Sequence, residues 1–196
     1  MPRRSSYTRE QVASKALQMV REKGFDRLSA RALGAALGCS SSPIFTLFSG
    51  MDEVIGEARK LANKIFYDYM SDVQDYNYPY QEYSLRLMRF ARKETNLFYF
   101  LFMQKNAAVS YDIQPQAQAC LEGLKNAYGL NDEQVKQLFS QMWAFTCGLT
   151  MLATKLESKY PEDRASDMLS YQFYATLDYI KSGKHPSRDI SKRKTE

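Results

Sequence analysis

The chain has little of what catalytic and extracellular proteins depend on. Of its 196 residues a single one is histidine, His185, and it lies in a polar stretch near the carboxyl end. Histidine-based triads and histidine-ligated metal sites are therefore not expected. Cysteine is equally sparse: Cys39, Cys120 and Cys147 are scattered, forming neither a disulfide framework nor a zinc-type pair. That usage points to a reducing, cytoplasmic compartment. There is no glycine-rich phosphate loop and no serine–histidine pair, so no catalytic residue, metal or cofactor is expected. The longest apolar run, residues 97–103, is seven residues, against about 20 for a membrane helix. No apolar segment follows the basic amino end, so neither a secretory signal nor a membrane partner is expected.

What is present is the composition of a globular domain, 44% apolar and 25% charged, with its charge unevenly placed. The net charge of +5 divides into +5 for residues 1–50, −3 for residues 51–182 and +3 for residues 183–196. A basic head and tail around a mildly acidic body suggest that one end meets a polyanion while the middle does something else. Aromatic residues follow the same division, with 22 of the 26 between residues 51 and 182. Three sections are expected: a head over 1–50, a body over 51–182 and a disordered basic tail over 183–196.

The head reads as three short helices. Thr8 and Gln11 make a capping box ahead of an apolar stripe at Ala13, Ala16, Leu17 and Val20. Gly24 suits a left-handed helix end at Lys23, with Phe25 packing back. Ser29 caps a second helix that buries Leu33, Ala36 and Leu37 and stops at Gly38; a third covers 42–48 with Ile44, Leu47 and Phe48 inward. A helix, a glycine turn and a second short helix form a helix-turn-helix arrangement.

The body is expected to be all-α, with helices over 51–73, 80–93, 95–103, 113–128, 132–159 and 162–182. Asp52/Glu53, Asp132/Glu133 and Glu162/Asp163 each open a helix, where they favour the helix dipole and are not an acid/base dyad. Ser49 and Asn131 are read as N-caps, and Pro161 stands just ahead of the third pair. Within 132–159, Leu138, Met142, Phe145, Leu149, Leu152 and Leu156 alternate four and three apart, a heptad seam, with a second apolar line beside it at Phe139, Trp143, Thr146 and Thr150. The last helix adds Leu169, Phe173 and Leu177. Two such helices from each of two copies would make a four-helix interface, which casts these nine seam residues as a homodimer face. The same pattern fits a central core helix in a monomer.

Residues 28–54 resemble the DNA-binding motif of the TetR (tetracycline-repressor-like) family of bacterial regulators. The shared features are the Gly38 turn, the spacing of Ile44, Phe45 and Phe48, and the acidic pair opening the next helix; Gly24-Phe25 matches as well. Residues 142–149 resemble a Trp-to-Gly element on the eighth helix of some members, with Cys147 where a histidine is frequent. The resemblance implies a homodimer that sets two recognition helices in successive major grooves and binds a small ligand in each body, which releases the operator. Members usually carry tyrosine at Phe45, tyrosine or histidine near Leu47 and lysine at Met51, where this chain is apolar. Base readout is left to Ser40, Ser41, Ser42 and Thr46, with Phe45 for thymine methyl groups. Charge neutralisation falls to Arg3, Arg4 and Arg31, with Arg27 beside them.

For the ligand, Tyr67, Met88, Phe98, Phe102, Met103, Trp143 and Cys147 are the candidate lining, with Tyr76, Tyr78, Tyr80 and Tyr83 clustered at a helix junction. Such a pocket suits a flat or flexible apolar molecule, a cation held on aromatic faces included; the same side chains would equally serve as core. Arg86, Arg89 and Lys93 are either a solvated face or a carboxylate site. Two functions remain open: a ligand-released repressor, and a helical dimeric interaction protein that has lost sequence-specific DNA binding.

Overall fold

A computed structural model describes residues 7–72, 78–104 and 115–183. Arg3, Arg4, Tyr76 and the basic tail from residue 184 lie outside the described residues. Within them the chain is helical, without a strand, so the all-α expectation holds. No helix among them is long and apolar enough to cross a membrane.

The head contains α1 (Arg9–Lys23), α2 (Ala30–Leu37) and α3 (Ser42–Phe45). The Thr8–Gln11 capping box forms as read, with Gln11 N–H donating to Thr8 Oγ1 at 3.2 Å and Thr8 N–H to Gln11 Oε1 at 2.9 Å. Gly24 ends α1 at φ +84° and ψ 159°. This positive-φ but extended conformation, open chiefly to glycine, replaces the expected left-handed turn. Phe25 accordingly leaves α1 and stacks on Phe100 of the body, 5.4 Å between ring centres.

The body comprises α4 (Met51–Tyr69), α5 (Pro79–Lys93), α6 (Thr95–Phe98), α7 (Pro115–Tyr128), α8 (Asp132–Lys155) and α9 (Glu162–Lys181). Asn131 caps α8 as expected, receiving Gln134 N–H at 2.9 Å. Ser49 does not cap α4: Gly50 holds that position, and Ser49 instead donates its N–H to Glu53 at 2.7 Å. The single helix expected over 95–103 breaks after one turn into a π-helical turn, Tyr99–Met103. Five bulky side chains in succession crowd an α-helix, and the wider turn buries Phe100 and Leu101 together. Arg59 Nη1 takes up the Phe100 carbonyl at 2.6 Å and lies 4.5 Å above that ring.

One core runs from the head into the body. Val12, Ala16 and Val20 of α1 meet Val54, Ala58, Ala62 and Phe66 of α4, which recur every four residues down one face, and continue to Phe90, Phe98 and Phe100. A second core joins Met88 of α5 and Leu124 of α7 to Leu138, Met142 and Leu149 of α8 and Leu169, Phe173 and Leu177 of α9. The head is fastened to α6 by Arg21 Nε on Glu94 at 3.1 Å and by Asn96 Nδ2 on the Arg21 carbonyl at 2.8 Å. On the Arg86, Arg89 and Lys93 face the two arginines are paired with carboxylates and Lys93 is exposed. Arg86 Nε meets Glu82 at 2.7 Å, and Arg89 bridges Glu82 at 3.1 Å and Glu162 at 3.0 Å.

Candidate nucleic-acid interface and ligand cavity

The turn between α2 and α3 is a Schellman motif. Cys39 N–H reaches back to Gly34 O at 2.9 Å and Gly38 N–H to Ala35 O at 3.1 Å, with Gly38 left-handed at φ +72° and ψ 27°. The close return depends on Gly34, which the sequence did not mark. A Cβ there would stand 3.0 Å from Cys39 O and from Ser40 C and O, all of them backbone atoms. Gly34→Ala is therefore expected to destabilise the chain by about 1–2 kcal/mol in urea titration, despite a gain of ~1 kcal/mol in helix propensity. Gly56→Ala, which meets open space on α4, is expected to stabilise it by about 0.5–1 kcal/mol. Equal effects at the two sites would show that the turn does not need the close approach.

α3 is shorter than the expected 42–48, ending as a helix at Phe45, and Phe48 N–H extends its last turn onto Ile44 O at 3.0 Å. Ile44 and Phe48 are buried, and Leu33 of α2 packs beneath them. Ala36, expected inward, faces solvent instead, because α2 turns Leu33 and Gly34 toward the core. This anchoring leaves Ser40, Ser42, Phe45 and Thr46 exposed with Arg31, while Ser41 is half-buried. Phe45 stands 46% exposed, the large apolar group at the tip of α3. The Thr46 hydroxyl hydrogen is committed to Pro43 O at 2.7 Å, so toward a base this group acts as an acceptor.

Two side chains that sequence reasoning missed lock the head. Tyr7 donates its hydroxyl to Leu37 O at the end of α2. Arg9 hydrogen-bonds Leu47 O, pairs with Glu53 and covers the Phe48 ring at 4.3 Å, so one guanidinium joins α1, the end of α3 and the start of α4. The Ser49 amide, then Arg9 and the Ser49 hydroxyl, hold the Glu53 carboxyl well below its usual range, at about 2. Both partners sit thirty or more residues away in the chain, so no local pattern announces them.

Six of the ligand candidates are brought together around Phe98, five of them half-buried, while Met88 lies in the second core. Met88 and Phe98 are fully buried; Phe98 lies 5.4 Å from Phe102, Phe102 lies 6.0 Å from Trp143, and Tyr67, Met103 and Cys147 pack against the same cluster. None of the seven lines a cavity described here. Burial pushes the Cys147 thiol up to about 12 and that of Cys120 up to about 11, which leaves both protonated and poor nucleophiles at neutral pH. A 540 Å³ cavity lies between the start of α5 (Tyr78, Tyr80, Gln81), α7 (Cys120, Gly123, Leu124, Ala127, Tyr128) and α9 (Leu169, Ser170, Phe173, Tyr174). Tyr78 and Tyr80 of the expected tyrosine cluster do reach it.

The heptad seam is also corrected. Leu138, Met142 and Leu149 of α8 and Leu169, Phe173 and Leu177 of α9 are buried within the chain's own second core, so they cannot face a partner. Phe145 is half-buried, whereas Leu152 and Leu156 stand 45% and 40% exposed.

Among solved structures, a member of the TetR family from Streptomyces coelicolor A3 matches 84% of this chain and 97% of its own, at 20% identity and a TM-score of 0.56. A possible TetR family transcriptional regulator from Streptomyces coelicolor A3(2) matches 90% of this chain and 100% of its own, at 16% identity and a TM-score of 0.49. No family model matches the sequence, and no curated protein does. The first likeness shows that the chain has the fold of a TetR-family protein.

Proposed function

We propose that the chain is a DNA-binding transcriptional regulator, a homodimeric repressor that leaves its operator when a small apolar or aromatic ligand binds the body. The observation that carries this reading is the α2–turn–α3 unit, whose apolar side is buried and whose serine, threonine, phenylalanine and arginine side chains are held outward. Arg9 and Arg21 are occupied by Glu53 and Glu94. Phosphate neutralisation is therefore assigned to Arg27 and Arg31, with Arg3 and Arg4. The remaining readout is hydroxyl contacts and the Phe45 ring against thymine methyl groups. The head's links to α6 through Arg21 and Asn96, and to the π-helical turn through Phe25, supply a route by which a body conformation can bias the heads. Ligand and DNA must then favour different conformations. For the dimer, the outer line of α8 offers Ala144, Gly148 and Leu152, all exposed, with Leu156 beyond the helix end.

The test is fluorescence anisotropy on duplexes selected from random sequence, titrated with salt and challenged with scrambled DNA. A specific duplex is expected, with log Kd against log salt shallower than about 9, since each phosphate contact adds ~0.9 and the assigned cations make fewer than about ten contacts per dimer. A steeper slope would overturn the assignment of cations. Failure to select any sequence would favour the interaction-protein reading, which the exposed Phe45 on an uncharged helix also suits.

A further inference from the structure

The cavity between α5, α7 and α9 is lined by twelve residues, none of them charged. Its walls are aromatic: Tyr80 stacks on Phe173 at 5.9 Å between centroids and 27° between planes, and Tyr128 lies 5.5 Å from the same ring. Tyr80 stays a neutral phenol, because burial pushes its hydroxyl well above the ordinary range, and that hydroxyl is engaged with Thr146 at 3.1 Å. The Cys120 thiol in the wall is likewise neutral. The volume, 540 Å³, is that of a small-molecule site, on the order of 300–1,000 Å³.

Two details bear on what this space can hold. Gln81 gives its amide hydrogens to Ser166 at 2.8 Å and Ser170 at 3.1 Å, while its Oε1 accepts no hydrogen bond from any described residue. The Gln81 amide thus stands among the lining residues beside aromatic walls, with one of its two polar atoms engaged by the serine hydroxyls. Gly123 of α7 borders the cavity and is exposed, and a Cβ there would meet no atom within 4 Å, so a larger side chain at this position has room to enter.

We propose that this cavity binds an uncharged, flat apolar molecule carrying one hydrogen-bonding group, with the Gln81 side-chain amide as its partner and the Tyr80, Tyr128 and Phe173 rings as walls. An anion would find no arginine or lysine in the lining, and a cation would find ring faces but no carboxylate to offset its lost hydration. The inference rests on the regulator reading for the consequence of binding, operator release, but not for binding itself.

Calorimetry on the full chain with three naphthalenes of similar size tests it: 2-naphthol, the 2-naphthoate anion and the trimethyl(2-naphthyl)ammonium cation. Saturable binding of 2-naphthol at one site per chain is expected, at least tenfold tighter than either ion. Gly123→Phe, which fills the space, is expected to weaken it tenfold or more. Gln81→Leu is expected to weaken 2-naphthol at least fivefold while leaving naphthalene, which has no donor, unchanged. The proposal is overturned if 2-naphthol does not saturate, if either ion binds as tightly, or if both variants bind like the parent. Release of selected DNA is measured separately: binding without release would remove the ligand-released repressor reading and leave the cavity assignment standing.

Discussion

Phe98→Ala is expected to lower the free energy of unfolding by about 3–5 kcal/mol, the range for emptying a fully buried phenylalanine site. Phe98 is 0% exposed and stands at the junction of α6 with the π-helical turn, where Phe102 and Tyr99 pack on it at 5.4 and 6.0 Å. The void could not collapse easily. On one side Phe66 is held by Phe90 and Phe102 at 5.1 and 5.2 Å, and on the other the Phe100 carbonyl is pinned by Arg59. A residue lining a ligand cavity would behave differently, since its truncation enlarges a space that already exists and costs little stability. Urea titration followed by the fluorescence of Trp143, the chain's one tryptophan, reads the difference directly, because Trp143 lies 6.0 Å from Phe102. A loss below about 1 kcal/mol would return Phe98 and its neighbours to the ligand site.

This contrast shows where sequence reasoning reached its limit. The helix starts at Thr8, Ser29 and Asn131 were legible because capping is a contact between residues three apart. The head's arrangement was legible for a similar reason: Gly38 and the spacing of Ile44 and Phe48 act within one turn and its flanks. What composition could not separate was filled from empty space. The aromatic stretch 97–103 and the tyrosines at the start of α5 look alike as letters, yet the first buries Leu97, Phe98, Phe100 and Leu101 while Tyr78 and Tyr80 border a cavity completed by residues 120–128 and 169–174. A cavity belongs to no single segment. The α8 seam failed in a related way: periodicity identified an apolar face but not its neighbour, and α9 with α5 and α7 of the same chain covers most of it. Arg9 was opaque because a guanidinium on an exposed helix end carries no sign of the Glu53 it will meet.

In the proposed homodimeric regulator, Leu152→Arg is expected to convert dimers to monomers at micromolar concentration and to weaken specific DNA binding by two orders of magnitude or more. Leu152 is 45% exposed and Gly148, one turn earlier, has nothing within 4 Å of its Cβ position. A long cation there would be forced against a second copy approaching along Ala144, Gly148 and Leu152, and would be buried without a partner. Loss of the dimer removes the tether that makes the second head's encounter with DNA intramolecular, an advantage on the order of 10²–10⁴. The chain's own stability is expected to change by less than about 0.5 kcal/mol, since Leu152 lies outside the internal core. Leu149→Arg gives the contrast: Leu149 is 4% exposed, so its replacement is expected to unfold the body whatever the oligomeric state. Analytical ultracentrifugation with circular dichroism separates the outcomes. A folded Leu152→Arg protein that sediments as a dimer would move the interface off the α8 outer line, leaving the exposed tyrosines of α9, Tyr171 and Tyr174, as the next face to test.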